Sequence, residues 1–460
     1  MIAFMVAGTA SGVGKTTVAL ALMAALRERG YQVQPFKCGP DFLDTGHHSA
    51  ICGRASRNLD TWMLDREANR ALFAEASIGA DAAIVEGVMG LYDGASGDSE
   101  EGSSAEIAKL LGLPVLLVLD AAASARSIAA VVKGFESFDP AIRFAGIVLN
   151  NVASGPHYRL LETAIRSVSA TPILGCMPVD TRIAIPERYL GLHTTEETAS
   201  VDDLRTALAT VAGEHLDVAP LLRLQWTGPT KARQSASAVR SDEQPVRIGV
   251  ARDKAFSFYY EDNFALLREH GAELVPFSPL RDAALPEQLG ALYLGGGYPE
   301  LYAEALSANT ALLDELRVFA QAGKPVYAEC GGMTYLGQSL TLLDGRSHAM
   351  AGVLPLEFEM TPHLVHFGYV EIEFVEDCLL GAIGTKVRGH SFHCSCVRPG
   401  STMPTAYRLR YSLSGEEELE GFHLKNVLAS YVHLHFRGNQ ALASRLVDVA
   451  RNSQAVEAVA

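Results

Sequence analysis

Six short apolar runs punctuate the first half of the chain: Ile2 to Ala7, Val33 to Phe36, Ala82 to Val85, Val115 to Leu119, Gly146 to Leu149 and Ile173 to Cys176. Each is too short for a core helix, and most lack the polar alternation of a half-exposed strand. Amphipathic stretches such as Thr16 to Gly30 and Ser103 to Gly112 lie between them. Strands that are apolar on both faces must be covered on both faces, and helices between them supply the cover. That pattern predicts a parallel α/β sheet. It stops near Arg223 to Gln244, where Gly228-Pro229 and a serine-rich run replace periodicity. It resumes with Val246 to Ala251, Glu273 to Phe277, Ala291 to Leu294 and Val326 to Ala328. Two doubly wound α/β domains are therefore expected, at 1–222 and 246–455, joined by a linker at 223–245.

A chain of 460 residues with 48% hydrophobic and 20% charged residues can fill two such cores. Its formal net charge of −15 argues against nucleic acid as a partner, because phosphate backbones need a basic surface. Seven cysteines without short, even spacing suggest reduced thiols and a cytoplasmic setting. No basic leader precedes Ile2 and no apolar run reaches the length of a membrane span, so neither a signal peptide nor a membrane partner is expected.

Two segments carry the chemistry. The first is Gly8-Thr9-Ala10-Ser11-Gly12-Val13-Gly14-Lys15-Thr16, set between an apolar strand and a helix. In such a loop the backbone N–H groups and the helix N-terminus cradle phosphates. Gly12 and Gly14 permit close approach, Lys15 reaches the outer phosphates, and Thr16, with Thr17 beside it, faces a Mg²⁺ ion. Gly8 stands one residue earlier than in the common spacing. The ligand implied is ATP with Mg²⁺. Glu86 and Asp41 follow strand ends, where a carboxylate suits a hard cation, so they join Thr16 as expected metal ligands. Asp44 and Asp93 are left even between a site role and solvation. Asn150 closes another strand and is expected to contact the nucleotide base or to form a turn.

The second is Tyr327-Ala328-Glu329-Cys330-Gly331-Gly332, a strand running into a glycine elbow. A cysteine there is exposed as a nucleophile, and the backbone N–H groups nearby face an oxyanion. Gly331 is one expected donor, and Gly296 and Gly297, at another strand end, are the others. The base must come from elsewhere. In Ser430-Tyr431-Val432-His433-Leu434-His435-Phe436, strand alternation places His433 and His435 on one face, and His433 is the expected base.

The phosphate loop resembles that of dethiobiotin synthetase and its relatives, a P-loop NTPase group. Ala10 stands where the related partitioning ATPases carry a second lysine, which favours a ligase over a switch. The Cys330 domain resembles class I glutamine amidotransferases, implying a flavodoxin-like sheet and glutamine as ammonia donor. In most of that class a Glu stands two residues after the catalytic His; here it is His435, a departure that resembles a Cys-His dyad more than a full triad, so what orients His433 is left open. With Gly39-Pro40-Asp41-Phe42-Leu43-Asp44-Thr45-Gly46, Val85-Glu86-Gly87-Val88-Met89-Gly90-Leu91-Tyr92-Asp93-Gly94, Ile185-Pro186-Glu187-Arg188-Tyr189-Leu190-Gly191-Leu192 and Arg388-Gly389-His390-Ser391-Phe392-His393, the chain resembles the cobyrinate a,c-diamide synthase family along nearly its whole length.

That resemblance implies ATP-dependent amidation of the a and c carboxylates of a corrinoid in cobalamin biosynthesis, through acyl phosphates. It implies that Asp41, Phe42, Leu43, Glu86 and Asp93 influence activity or the order of amidation, with Phe42 replacing the family's frequent Tyr. A polycarboxylate substrate needs cationic forks, for which Arg54, Arg57 and Arg188 are candidates, Arg188 foremost. The macrocycle is open between cobyrinic acid, hydrogenobyrinic acid and nickel-sirohydrochlorin, as is assembly as a homodimer. The rival from a different class is an ATP-dependent switch with an inactive glutaminase-like domain.

Overall fold

The computed structural model describes the chain except residues 186, 189–190, 193–199, 229–243, 399–402 and 458–460, with backbone alone at 187–188, 191–192 and 455–457. It divides into two compact units, Met1–Arg233 and Gln234–Ala460.

The first unit is built on seven strands: β1 (Ile2–Gly8), β2 (Val33–Cys38), β3 (Arg57–Leu59), β4 (Ala82–Gly90), β5 (Val115–Asp120), β6 (Phe144–Asn150) and β7 (Ile173–Met177). Their order is β3-β2-β4-β1-β5-β6-β7. All neighbours are parallel. Apolar side chains on both faces explain why: Phe4 and Val6 join the core under helix α1 (Lys15–Glu28), while Leu117, Leu119, Ile147 and Leu149 fill a second core opposite. Helix α1 buries residues all round and not along one stripe, as a helix packed between the sheet and further helices must. Trp226, within the expected linker, packs on Phe73 at 5.1 Å and donates from Nε1 to the Leu111 carbonyl at 2.8 Å. The start of that linker thus belongs to the first unit's packing; residues 229–243 lie outside the described residues.

The second unit carries a ten-stranded sheet. Five parallel strands, Ala272–Phe277, Val246–Ala251, Ala291–Leu294, Val326–Glu329 and Val427–Ser430, lie in that spatial order. An antiparallel extension follows: Glu417–Leu424, Thr405–Tyr411, His366–Phe374, Lys386–His393 and Val432–Leu434. Four of the five parallel strands are those that the apolar runs predict; Val427–Ser430 is the addition. Apart from Val432–Leu434, the antiparallel half has no counterpart in that reading, because its strands mix charged and apolar residues, as in Glu371, Glu373, Arg408 and Arg410. After Ser430 the chain leaves the Val427–Ser430 strand, and Val432–Leu434 pairs with Lys386–His393 at the end of the strand order. The Ser430 to Phe436 run is therefore two elements. Only His433 lies in the strand; His435 begins a short 3₁₀ turn, Phe436–Gly438.

Candidate active sites

The phosphate loop is shaped by two close approaches. Gly14 has φ +90°, and a Cβ there would lie 1.9 Å from Asn150 Nδ2. A Cβ on Gly8 would lie 2.4 Å from the Val13 side chain. Only glycine fits either place. Asn150 donates from Nδ2 to the Val13 carbonyl at 3.0 Å, so this side chain pins the loop from the end of β6. Helix α1 has no side-chain cap and no acidic residue in its first turn. Its first N–H groups and positive dipole end are thus left for an anion. Lys15 is buried and donates to the Ala10 carbonyl at 2.9 Å, inside the curve of the loop. Burial, and next the neighbouring Lys37 ammonium, push its pKa down to about 8. A phosphate would reverse that penalty. Thr17 is half-buried in the same first turn.

Lys37 is the residue the sequence reading missed. Its Cα pairs with Glu86 across β2 and β4, and both side chains are buried. Lys37 Nζ lies 2.8 Å from Glu86 Oε1 and 2.5 Å from Asp44 Oδ2. Thr16 Oγ1 donates to the same Glu86 Oε1 at 2.7 Å and lies 3.4 Å from Asp44 Oδ2. His48, wholly buried, meets Glu86 Oε2 at 2.7 Å. Burial alone would raise the Glu86 pKa, but Lys37 and His48 override it and hold the carboxyl well below its usual range. Lys37 is held well above its ordinary value, its burial outweighed by Asp44 and Glu86. Asp44 is driven up by burial and by the Asp41 and Glu86 carboxylates. A lysine placed directly after the Val33 to Phe36 run, where burial is expected, is the signal in sequence that marks this cluster.

Thr16, Glu86 and Asp44 present hard oxygens next to the phosphate cradle, and the crowding that raises Asp44 is what a divalent cation would relieve. Among the described residues no group of three His, Cys, Asp or Glu is arranged as a metal cage. Mg²⁺ takes one or two carboxylates and completes its shell with phosphates and water. The Asp41 carboxylate instead accepts from the Asp44 N–H at 2.8 Å, bracing the start of helix α2 (Leu43–Cys52). Phe42 and Leu43 are half-buried in that first turn. Asp93 accepts from the Gly90 N–H at 2.8 Å, and its charge reaches Lys15. Arg54 is committed to Gln34 and the Ala76 and Ile78 carbonyls, which removes it as a substrate fork. Arg188 lies in a two-residue strand paired with Gly191–Leu192; its side chain is outside the described residues.

In the second unit, Cys330 sits between the Val326–Glu329 strand and the Gly331–Leu336 helix with φ 47° and ψ −107°. A β-carbon at positive φ costs on the order of 1–3 kcal/mol and persists where the surroundings enforce it. Here Cys330 donates its N–H to the Ser430 carbonyl at 2.7 Å and accepts from Thr334 N at 3.1 Å. The Sγ lies 3.8 Å from the Phe392 carbonyl oxygen. The two glycine turns pack against each other: a Cβ on Gly331 would lie 3.2 Å from Gly297 N, and one on Gly296 would lie 2.6 Å from His433 Cε1. Gly296 and Gly297 thus pack close to His433 and to Gly331, the residue after Cys330.

His433 is buried, and its Nδ1 lies 3.2 Å from Glu329 Oε2. Burial alone would depress its pKa; a hydrogen bond with the Cys330 thiol, and next one with Glu329, raise it to about 9. A thiol hydrogen-bonded to a buried base is arranged as a nucleophile. His435 does not share this site. Its Nδ1 accepts from the Arg437 N–H at 3.3 Å, and its ring lies 4.7 Å from that of Tyr260.

Both halves of the chain match known families. Residues 4–191 match the family described as the CobQ/CobB/MinD/ParA nucleotide binding domain, and residues 247–441 the CobB/CobQ-like glutamine amidotransferase domain. The chain is 42% identical over 446 residues to the cobyrinate a,c-diamide synthase of Listeria monocytogenes, covering 96% of this chain and 98% of that one. It is 43% identical over 459 residues to the Salmonella typhimurium enzyme of the same name, covering 98% of each. To that of Syntrophotalea carbinolica it is 42% identical over 450 residues, covering 97% and 98%.

Proposed function

Because the chain belongs to the cobyrinate a,c-diamide synthase family, we propose that it amidates the a and c side-chain carboxylates of cobyrinic acid, taking nitrogen from glutamine and energy from ATP. It is a ligase with a nucleotide-binding domain and a glutamine amidotransferase domain, and the name of its relatives supports a role in cobalamin biosynthesis. The observation that carries the finer reading is that both halves keep working chemistry: an uncapped phosphate cradle with Lys15 inside it, and a strained cysteine bonded to a buried histidine.

In the glutaminase half, the Cys330 thiolate attacks the carboxamide carbon of glutamine. A C–S bond forms, and Gly296, Gly297 and Gly331 line the place where the oxyanion develops. His433 gives its proton to the departing nitrogen as the C–N bond breaks, releasing ammonia. Water, deprotonated by His433, then cleaves the thioester to glutamate and restores the thiol. In the synthetase half, the terminal phosphoryl group of ATP passes to a corrinoid carboxylate. Ammonia then attacks that carbon and phosphate leaves. Lys15 and the α1 N-terminus hold the phosphates, and Asn150 keeps the loop in register. Thr16, Glu86 and Asp44 would hold Mg²⁺, which when bound neutralises charge on the transferring phosphoryl group. Lys37 and His48 keep Glu86 ionised and oriented. Asp41, Phe42, Leu43 and Asp93 border this site, and the Glu187–Arg188 segment supplies a cation for the remaining carboxylates.

The test is a mass-spectrometric assay with ATP, Mg²⁺ and glutamine, offering cobyrinic acid, hydrogenobyrinic acid and nickel-sirohydrochlorin in parallel. A diamide of cobyrinic acid is expected. A diamide of another macrocycle alone would reassign the substrate, and ATP hydrolysis without any amide would overturn the synthase reading. Cys330→Ala is expected to lose glutamine-dependent amidation by more than about 10³-fold while free ammonia still supports it.

A further inference from the structure

We propose that Glu329 is the positioning residue of the thiol site, fixing the His433 ring so that Cys330, His433 and Glu329 act as a triad whose carboxylate is the chain neighbour of the nucleophile. This rests on the glutaminase reading above. The position at which related amidotransferases carry a carboxylate is His435, which faces Arg437 and Tyr260. The sequence therefore leaves His433 without an orienting group, and the fold supplies one from another strand.

The placement follows from strand geometry. Along Val326–Glu329 alternate side chains share a face, so Tyr327 and Glu329 point together into the tyrosine-rich core while Val326 and Ala328 point to the other. At Cys330 the backbone turns to positive φ, which carries Sγ back over the same strand end. Glu329 and Cys330 thus approach the two nitrogens of one imidazole from opposite sides. Glu329 Oε2 lies 3.2 Å from His433 Nδ1. Its Oε1 accepts from Tyr327 OH at 2.6 Å and from Leu434 N–H at 3.3 Å. Both Glu329 and His433 are only 1% exposed. A buried carboxylate with no such partners would be costly; this one is held by donors that leave Oε2 aimed at the ring. Donation from Nδ1–H fixes the tautomer in which Nε2 serves the Cys330 thiol. The absence of a Cβ on Gly296 leaves room for that edge of the ring.

The titratable groups that face His433 are Cys330 and Glu329 on one side and His390 and His393 from the neighbouring strand. His390, whose Cα pairs with His433, is pushed down to about 3 by burial and by His433, and His393 to about 4, chiefly by burial. Neither is charged at neutral pH, so Cys330 and Glu329 set the state of His433. The Tyr327 and Tyr293 phenols are held above their ordinary value by burial and by the Glu329 charge, and remain donors.

The experiment compares Glu329→Gln, Glu329→Asp and Cys330→Ala in the full chain. It reads glutaminase kcat and KM across pH, ammonia-supported amidation, and the pH dependence of Cys330 alkylation by peptide mass spectrometry. Glu329→Gln should lower kcat by about 10²-fold with KM for glutamine changed less than about threefold. The alkaline limb of the glutaminase and alkylation profiles should move from about 9 toward the ordinary histidine range. Glu329→Asp keeps the charge and should recover part of kcat. An unmoved limb in Glu329→Gln, or a loss confined to KM, would overturn the proposal. If Cys330→Ala kept glutamine-dependent amidation, the glutaminase reading itself would fail instead. Should the Gln variant not fold, Tyr327→Phe, which removes the donor to Oε1, carries the test: its alkylation limb should shift the same way, and an unmoved limb refutes the role.

Discussion

Glu420 offers a quantitative test of how this core holds charge. Its carboxylate is buried on the antiparallel half of the second sheet, accepting from Ser430 Oγ at 2.5 Å and from Tyr431 N–H at 2.7 Å. Burial nevertheless raises its pKa to about 7, from an ordinary value of 4.5, against the pull of those two donors. The folded value exceeds the unfolded one. The associated stability is therefore complete below about pH 4.5 and is lost as pH rises through about 7. By pH 8 the loss is on the order of 3 kcal/mol, from about 1.4 kcal/mol for each unit of pKa difference. Glu420→Gln removes that loss and keeps the acceptor for Tyr431. Its amide then donates to Ser430 Oγ, which already accepts from Val432 N–H at 3.0 Å, and the serine proton loses its partner. Subtracting about 1 kcal/mol for that hydrogen bond leaves a net gain of about 2 kcal/mol at pH 8. For a unit of this size that is a rise of about 4–8 °C in its melting transition. At pH 5, where the folded carboxyl is already protonated, the gain should vanish or reverse. Calorimetry of both proteins at the two pH values measures the difference directly. An equal shift at both would show that ionisation of Glu420 is not what limits stability, and would refute the reasoning.

Two further outcomes follow from the first unit. Gly14→Ala places a Cβ within 1.9 Å of Asn150 at φ +90°, and should abolish ATP binding measured by calorimetry and lower the unit's stability by about 2–3 kcal/mol; retained affinity would show that the loop tolerates another shape. Lys37→Met leaves Asp44 and Glu86 buried without their shared cation, and should destabilise the unit by about 3–5 kcal/mol in urea unfolding; a change below about 1 kcal/mol would mean that the pair is replaced by protonation at little cost.

The sequence by itself determined the parallel layers and the two chemistries. Apolar strands between helices admit few other packings, and a glycine loop at a strand end followed by Lys15 and Thr16 has one well-understood use. The Cys330 elbow was legible for the same reason: its meaning is local, carried by a strand, a turn and two glycines adjacent in the chain. Every strand predicted from an apolar run is present, within two residues of its expected ends except that the Ala82 to Val85 run continues to Gly90. What pattern did not reveal was the antiparallel half of the second sheet, whose strands are polar enough to look like loops.

Only the tertiary structure decided which side chains meet. Lys37 reaches Glu86 and Asp44 because β2 and β4 are neighbours in register, a pairing that no local pattern encodes. Asp41 is drawn to brace a helix, and Asp44, one turn on, takes the place beside Thr16. His433 and His435 look equivalent in the sequence, but the chain leaves the strand after Leu434, so one faces a thiol and the other a tyrosine ring. Glu329 is the sharpest case. Adjacent residues on a strand point to opposite faces, so a carboxylate next to the nucleophile would be read as turned away from it. The positive φ at Cys330 breaks that alternation and brings Sγ and the carboxylate to the same imidazole.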